Sequence, residues 1–244
     1  MRVSKREIKS GAVLEIDYFP VSNNVKTLTN AKPKERFANA EERNAHNVGI
    51  QRRANSRLVN ANFTPKSFKV ELTLDDSHNV QTLDEAKKII KNYVRNIRRK
   101  YPDSKVMAYI GHHGQKARYH FHLLIDGIPP DVFLSKWFFG MIKKSENLWS
   151  HTQDYTAVAE YFFNQGVCSG KGASRCHKSG NFIKPEYIRT REVKQAPRIN
   201  KPPHREGYVH VYTYSNGLGY IYFKYVRTSG HRKKAKKPNK KSRN

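Results

Sequence analysis

The stretch YIGHHGQKARYHFHLLIDG, Tyr109–Gly127, decides how this chain is read. Two alternating apolar runs, KVMAYIGH and RYHFHLLID, flank a short basic turn, HGQKA, which is the pattern of a β-hairpin. In the second run the period of two puts His120 and His122 on one face and Phe121 and Leu123 on the other. Imidazoles about 6–7 Å apart along a strand can converge on one metal ion, and they can equally be structural histidines of a sheet face. His112 ends the preceding strand and is expected to face the pair as a third ligand, leaving positions open for water and substrate. A solvated turn residue is the alternative for His112, and His113 competes for its place, although alternation puts His113 on the opposite face.

Working outward, SFKVELTLDD alternates Phe68, Val70, Leu72 and Leu74 with Lys69, Glu71 and Thr73, so a half-buried strand precedes the hairpin. Between them, TLDEAKKIIKNYVRNIRRKYP carries an apolar stripe through Ala86, Ile89, Ile90, Tyr93, Val94 and Ile97. Thr82 and Glu85 have capping-box spacing at its start, and Pro102 follows its end. After the hairpin, Pro129 and Pro130 open a short helix, DVFLSKWFF, ended by Gly140, and MIKKSENLW reads as a further strand. DYTAVAEYFFNQG then reads as a helix of about three turns, stopped by Gly166, whose buried stripe is Tyr155, Val158, Ala159 and Phe162. Tyr161 sits at the flank of that stripe, where its ring can rest on the core edge while its hydroxyl stays reachable. Alone it is a packing residue. Beside a histidine-held cation it becomes a candidate nucleophile for phosphorus, because a phenol of ordinary pKa near ~10 needs a polarised phosphate to react.

The 244 residues carry 47 Lys and Arg against 20 Asp and Glu, a formal charge of +27. Such an excess repels itself unless a polyanion neutralises it, and nucleic acid is the leading partner. Arg52, Arg53, Lys116 and Arg118 are candidate DNA contacts, as are Lys233 and Lys234 in the basic tail HRKKAKKPNKKSRN, which is disordered by composition. Leu14–Val21 could form a first strand within a basic N-terminal extension, residues 1–47, and IQRRANSRL begins a basic helix or arm. A C-terminal extension, residues 169–230, holds a β pair in YVHVYTYSNGLGYIYFKYV with Asn216-Gly217 in its turn, and the tail occupies 231–244. No run reaches the ~20 apolar residues that span a membrane, and no signal-peptide core follows the charged start, so a cytoplasmic protein is expected. Cys168 and Cys176 are too few to staple the chain, and a zinc site of Cys168, Cys176 and His177 lacks a second paired half.

The motif strand FKVELTLD, the HFH pair and the AEYFF helix follow one another in an order that resembles the HUH endonucleases, and within them the rolling-circle replication initiators of bacterial plasmids and phages. QRRAN, Gln51–Asn55, and TREVKQAP, Thr190–Pro197, match flanking segments of such initiators, and the likeness covers about residues 48 to 200. The resemblance implies an α+β core over 48–168, HUH/RRM-like, with an antiparallel sheet of about five strands and helices packed on it. It implies Mn2+ or Mg2+ at His120 and His122, with His112, His113 or Gln165 as third ligand, His112 standing where Glu is common. It also implies that Tyr161 attacks single-stranded DNA at a replication origin, leaving a 5′-phosphotyrosine and a free 3′-hydroxyl. The family often has Lys three residues beyond the tyrosine, where this chain has Asn164. No G-x4-G-K-[ST] motif is present, so a host helicase and polymerase are the expected partners. Two other readings stand beside this one. One is a single-tyrosine transposase or mobilisation nickase. The other is a nucleic-acid-binding protein in which the histidines and Tyr161 are structural.

Overall fold

The computed structural model describes residues 2–21, 39–78, 80–112, 118–150, 152–167 and 176–228. The elements open with β1 (Arg2–Ser10), β2 (Val13–Val21), α1 (Ala40–Asn62), β3 (Phe68–Thr73) and α2 (Leu83–Lys100). Then come β4 (Lys105–Gly111), β5 (His120–Asp126), α3 (Pro130–Ser135), β6 (Ile142–Asn147) and α4 (Thr156–Gln165). The last are β7 (Cys176–Lys178), β8 (Glu186–Val193), β9 (Tyr208–Ser215) and β10 (Ile221–Arg227). The protein is α+β, with two antiparallel five-stranded sheets in the orders β6-β3-β5-β4-β7 and β8-β1-β2-β10-β9.

The first sheet grows from the hairpin of β4 and β5, in which Gly111 pairs with His120 and Tyr109 with His122. One face carries Val70, Leu72, Ala108, Ile110, Phe121 and Leu123 and is covered by the stripe Ala86, Ile90, Tyr93, Val94 and Ile97 of α2. That helix starts where its sequence places it, with Thr82 and Glu85 forming a reciprocal capping box. The opposite face carries Met107, Tyr109 and Leu124 and is covered by Val59 and Phe63 of α1 together with Ala159, Phe162 and Phe163 of α4. The histidine pair lies on this second face. α3 ends at Ser135, short of the expected Phe139, because the chain turns inward: Trp137 is buried and its Nε1 donates to the Thr73 carbonyl at 3.2 Å.

The two termini build one sheet. Residues 2–21 supply β1 and β2, and β8, β9 and β10 come from residues 186–227, so neither end is a separate extension. The boundary expected at residues 47 and 48 falls inside α1, and β7, expected in the C-terminal extension, is an edge strand of the first sheet. The expected tail, 231–244, lies outside the described residues. One face of the second sheet packs Leu14, Ile16, Tyr18, Phe223 and Tyr225 together. The other turns ionic groups toward α1. Arg57 Nε donates to Glu15 at 2.6 Å, Glu15 also accepts from Tyr222 at 2.8 Å, and Arg6 pairs with Asp17 at 2.5 Å.

Lys224 of β10 reaches the start of the tyrosine helix, with Nζ 2.6 Å from Asp154 and 2.8 Å from the Thr156 hydroxyl. Burial alone would raise the Asp154 pKa, but the hydrogen bonds from Lys224 and Thr156 outweigh it and hold the carboxyl below its ordinary value. A carboxylate depressed in this way stabilises the fold fully above the unfolded pKa of about 3.9, and the contribution disappears as pH falls through the lower folded value. Lys224→Met strands a buried carboxylate and should cost about 3 kcal/mol, or roughly 6–12 °C in melting temperature. Melting curves from about pH 6 down to pH 3 should show the parent losing its advantage over the variant in acid. Among the described residues no helix is long and apolar enough to cross a membrane.

Candidate functional site

Three side chains from two elements meet on the α4 side of the first sheet. His120 and His122 alternate onto that face from β5, with ring centroids 4.9 Å apart and planes nearly perpendicular at 88°. Tyr161 comes from α4, and its ring centroid lies 5.8 Å from that of His122. The neighbour of Tyr161, Phe162, stacks on His122 at 5.0 Å and fixes the imidazole against the helix. His122 is 4 % exposed and Tyr161 53 %, so the ligand candidate is held in the wall while the phenol faces solvent.

Other tyrosines on the same side are excluded as nucleophiles by burial. Tyr109 is fully buried, its hydroxyl donates to Asn55 Oδ1 at 2.8 Å, and burial pushes its pKa well above the ordinary value. Tyr155 is buried as well, with its phenol pushed up to about 12.

The orientation of α4 is set by asparagines of α1. Asn55 Nδ2 donates to the Ala159 carbonyl at 3.2 Å while its Oδ1 accepts from Tyr109. Asn60 Oδ1 accepts from the Tyr155 amide at 2.7 Å and its Nδ2 donates to Thr156 at 3.1 Å. The QRRAN segment thus ends on a buried residue that ties the tyrosine helix to the strand next to His122. Arg52 of that segment is half-buried, and Arg53 is exposed beside the Tyr220 hydroxyl.

His112 does not join the pair. Because Gly111 is directly opposite His120, the next residue falls on the other face, where the His112 ring packs on Tyr119 with centroids 4.4 Å apart. The register puts Gly111, not His112, in phase with the histidines, which reverses the expected parity. His113 and Lys116 lie outside the described residues, as do Lys233 and Lys234. Gln165 is the last residue of α4, one turn beyond Tyr161. Arg118 forms an exposed ion pair with Asp76. The zinc reading fails on similar grounds: Cys176 pairs with Tyr109 and His177 with Ala108, so the two point to opposite faces, and Cys168 lies outside the described residues.

Among the described residues no three His, Cys, Asp or Glu side chains gather as a metal site. The donors that do converge are two imidazoles, a set that suits a divalent ion keeping most of its positions for water and phosphate oxygens. His120 and His122 would hold such an ion. Glu71, the cross-strand neighbour of His122, is engaged by Lys143 at 3.2 Å.

A pocket of about 390 Å³ opens beside the pair, lined by Glu71, His122, Tyr161, Lys69 and Lys144 among others. The two lysines were not singled out from sequence. They stand on β3 and β6, on either side of Glu146, each with Nζ 2.8 Å from its carboxylate. Hydrogen bonding to Glu146 raises the Lys144 pKa, and Glu71 and Tyr161 add smaller contributions in the same direction. Strand alternation in the read motif FKVELTLD already put Lys69 on the face of Glu71, which was the available signal for one of them.

Gly111 leaves room for the site. A Cβ there would overlap the His120 imidazole, whose ring atoms are the three nearest to it. Gly111→Ala should therefore push the His120 ring aside while melting within about 1 kcal/mol of the parent. Histidine side-chain NMR shifts on adding Mn2+ or Mg2+ would report the displacement, and an unchanged His120 response would contradict it. Scans of family models and searches of curated proteins and of solved structures found no match to this chain.

Proposed function

We propose that the chain is an HUH-type, single-tyrosine nickase that initiates rolling-circle replication by cutting and rejoining single-stranded DNA. One observation carries this reading: Tyr161, exposed, lies on the same sheet face as His120 and His122, with its ring 5.8 Å from that of His122. An antiparallel sheet with β5 central and the tyrosine helix across it supports the reading, since that activity needs the histidine strand and the tyrosine on one face.

The phenolic oxygen of Tyr161 gives up its proton to water as it attacks a backbone phosphorus, the P–O3′ bond breaks, and the departing 3′-oxygen takes a proton from water to become a free hydroxyl. The 5′-phosphate stays on Tyr161 as a phosphodiester, so bond energy is kept for the reverse step, in which a 3′-hydroxyl attacks and releases the tyrosine. Bound Mn2+ or Mg2+ would polarise a non-bridging phosphate oxygen and offset the charge that builds on it. Lys144 lines the same pocket and gives the phosphate a cation that Asn164, on the exposed side of α4, does not provide. His122 is held by Phe162, so the distance between ligand and nucleophile is set by one stacked contact.

The strands β8–β10, which follow α4, favour an initiator over a shorter single-tyrosine transposase. An initiator of this kind acts at a replication origin in the cytoplasm and hands its 3′-hydroxyl to a host polymerase, with a host helicase opening the duplex. The test is incubation of the full chain with Mn2+ and a pool of random-sequence single-stranded oligonucleotides, followed by a denaturing gel. A covalent protein–DNA adduct is expected. DNA binding with no adduct at any Mn2+ or Mg2+ concentration would instead identify a non-enzymatic nucleic-acid-binding protein.

A further inference from the structure

The second sheet carries a feature that the nicking site does not use. Tyr212 and Tyr214 of β9 are 53 % and 48 % exposed, on the sheet face that β10 shares through Tyr222 and Lys224. Each has an aromatic partner from β10 or the turn before it. The Tyr212 and Tyr222 centroids are 6.2 Å apart, and those of Tyr214 and Tyr220 are 6.3 Å apart. The inner pair is fixed from the neighbouring strand β2, since Tyr222 donates to Glu15 at 2.8 Å and Tyr220 to Asp17 at 2.5 Å. The outer pair is left as a solvent-facing ladder on an edge strand.

The wall of this ladder is basic. Arg53 of α1 sits beside Tyr220, and Arg57, one turn on, pairs with Glu15 beneath Tyr222. Among the described residues the exposed Arg53 makes no ion pair with a carboxylate, so its charge is available to an anion. The ladder also lies toward the nicking site. α1 and α4 run antiparallel, with Asn60 at Tyr155 and Thr156 and Asn55 at Ala159, which puts Arg53 at about the level of Tyr161 along the helix pair. The cross-strand neighbour of Tyr212, Lys224, is bonded to the first residue of α4.

We propose that this β9–β10 face, with Arg53 beside it, is a second binding site, a stacking groove for single-stranded nucleic acid flanking the segment at Tyr161. Rings on one side of a strand at i and i+2 are about 6.4–6.8 Å apart, close to twice the ~3.4 Å rise of stacked bases, so a base fits between or upon successive tyrosines. Base–aromatic stacking tolerates any sequence, and the exposed Arg53 is positioned to meet a phosphate. The groove needs no metal and no chemistry at Tyr161, so it stands or falls separately from the nickase reading.

The experiment measures binding of a labelled oligothymidine strand to the full chain carrying Tyr161→Phe, without metal, so that no covalent product contributes. Replacing both Tyr212 and Tyr214 with alanine is expected to weaken binding by about tenfold or more, while the Phe pair binds like the parent. The slope of affinity against salt should be unchanged in the Ala pair and shallower in Arg53→Ala. Melting curves check that the exposed substitutions leave the fold intact. An Ala pair that binds as the parent does would overturn the proposal, as would a Phe pair as weak as the Ala pair. A parent dimer that the Ala pair dissolves with DNA affinity unchanged would overturn it too, by showing a second copy on this face. Should the groove bind DNA while the metal-supplemented, unaltered chain gives no adduct, the nickase reading fails and the groove remains.

Discussion

Tyr161→Phe is expected to abolish the covalent DNA adduct, a loss of at least about a thousandfold, while leaving stability and DNA affinity within about twofold of the parent. The reason is the exposure of the phenol. Tyr161 packs its ring against Phe162 and His122 and is 53 % exposed, so removing one oxygen deletes the proposed nucleophile without opening a cavity in the core. Tyr109 and Tyr155 cannot take over, because both are buried and their phenols are held neutral by that burial. The comparison needs adduct yield on a denaturing gel alongside a melting curve. An adduct of undiminished yield in Tyr161→Phe would move the nucleophile elsewhere.

The second large effect belongs to the histidines. His120→Ala should lower adduct yield on the order of 10²–10³-fold, and higher Mn2+ should restore part of it. His120 is only partly buried, so this variant should remain folded. His122→Ala is expected to lose activity to a similar degree but also to destabilise the protein by about 3 kcal/mol, because the ring is sandwiched into the core against Phe162. Salt-sensitive DNA binding should survive in both. Rescue by Mn2+ in His120→Ala, and none in Tyr161→Phe, separates a ligand from a nucleophile. If added Mn2+ changes neither parent nor variant, the histidines are structural.

Most of the first sheet was legible because its strands obey alternation. Val70, Leu72, Phe121 and Leu123 face one core, and the capping box and stripe of α2 leave no competing reading. The second sheet was only half legible. In β1 the run RVSKREIKS reads as a charged leader, yet Lys5 is buried and Glu7 largely so, since they pair with each other and Glu7 also accepts from Arg205 at 2.7 Å. Charges satisfied by a neighbour in the same strand and by an arginine far along the chain leave no hydrophobic period to detect. α1 reads only as a basic helix or arm from Ile50. Its start at Ala40 and its buried face escaped for a related reason: several of its buried residues are asparagines, Asn55, Asn60 and Asn62, which act through hydrogen bonds and not through an apolar stripe.

At the site, the alternation that set His120 and His122 together was readable, and so was the flank position of Tyr161. The parity of His112 was not, because it depends on the pairing of Gly111 with His120, which hairpin length alone does not determine. Lys144 was hidden by its strand. IKKSEN has no clean alternation, and only its pairing with β3 brings that lysine to the pocket.

The central claim is that the imidazole pair and one phenol share a single phosphodiester-cleaving centre. The most direct measurement is tandem mass spectrometry of the adduct formed with Mn2+ and single-stranded DNA, after nuclease trimming. The account predicts one modified peptide, with a nucleotide joined through its 5′-phosphate to Tyr161. A nucleotide on any other residue, or attachment through a 3′-phosphate, would contradict it.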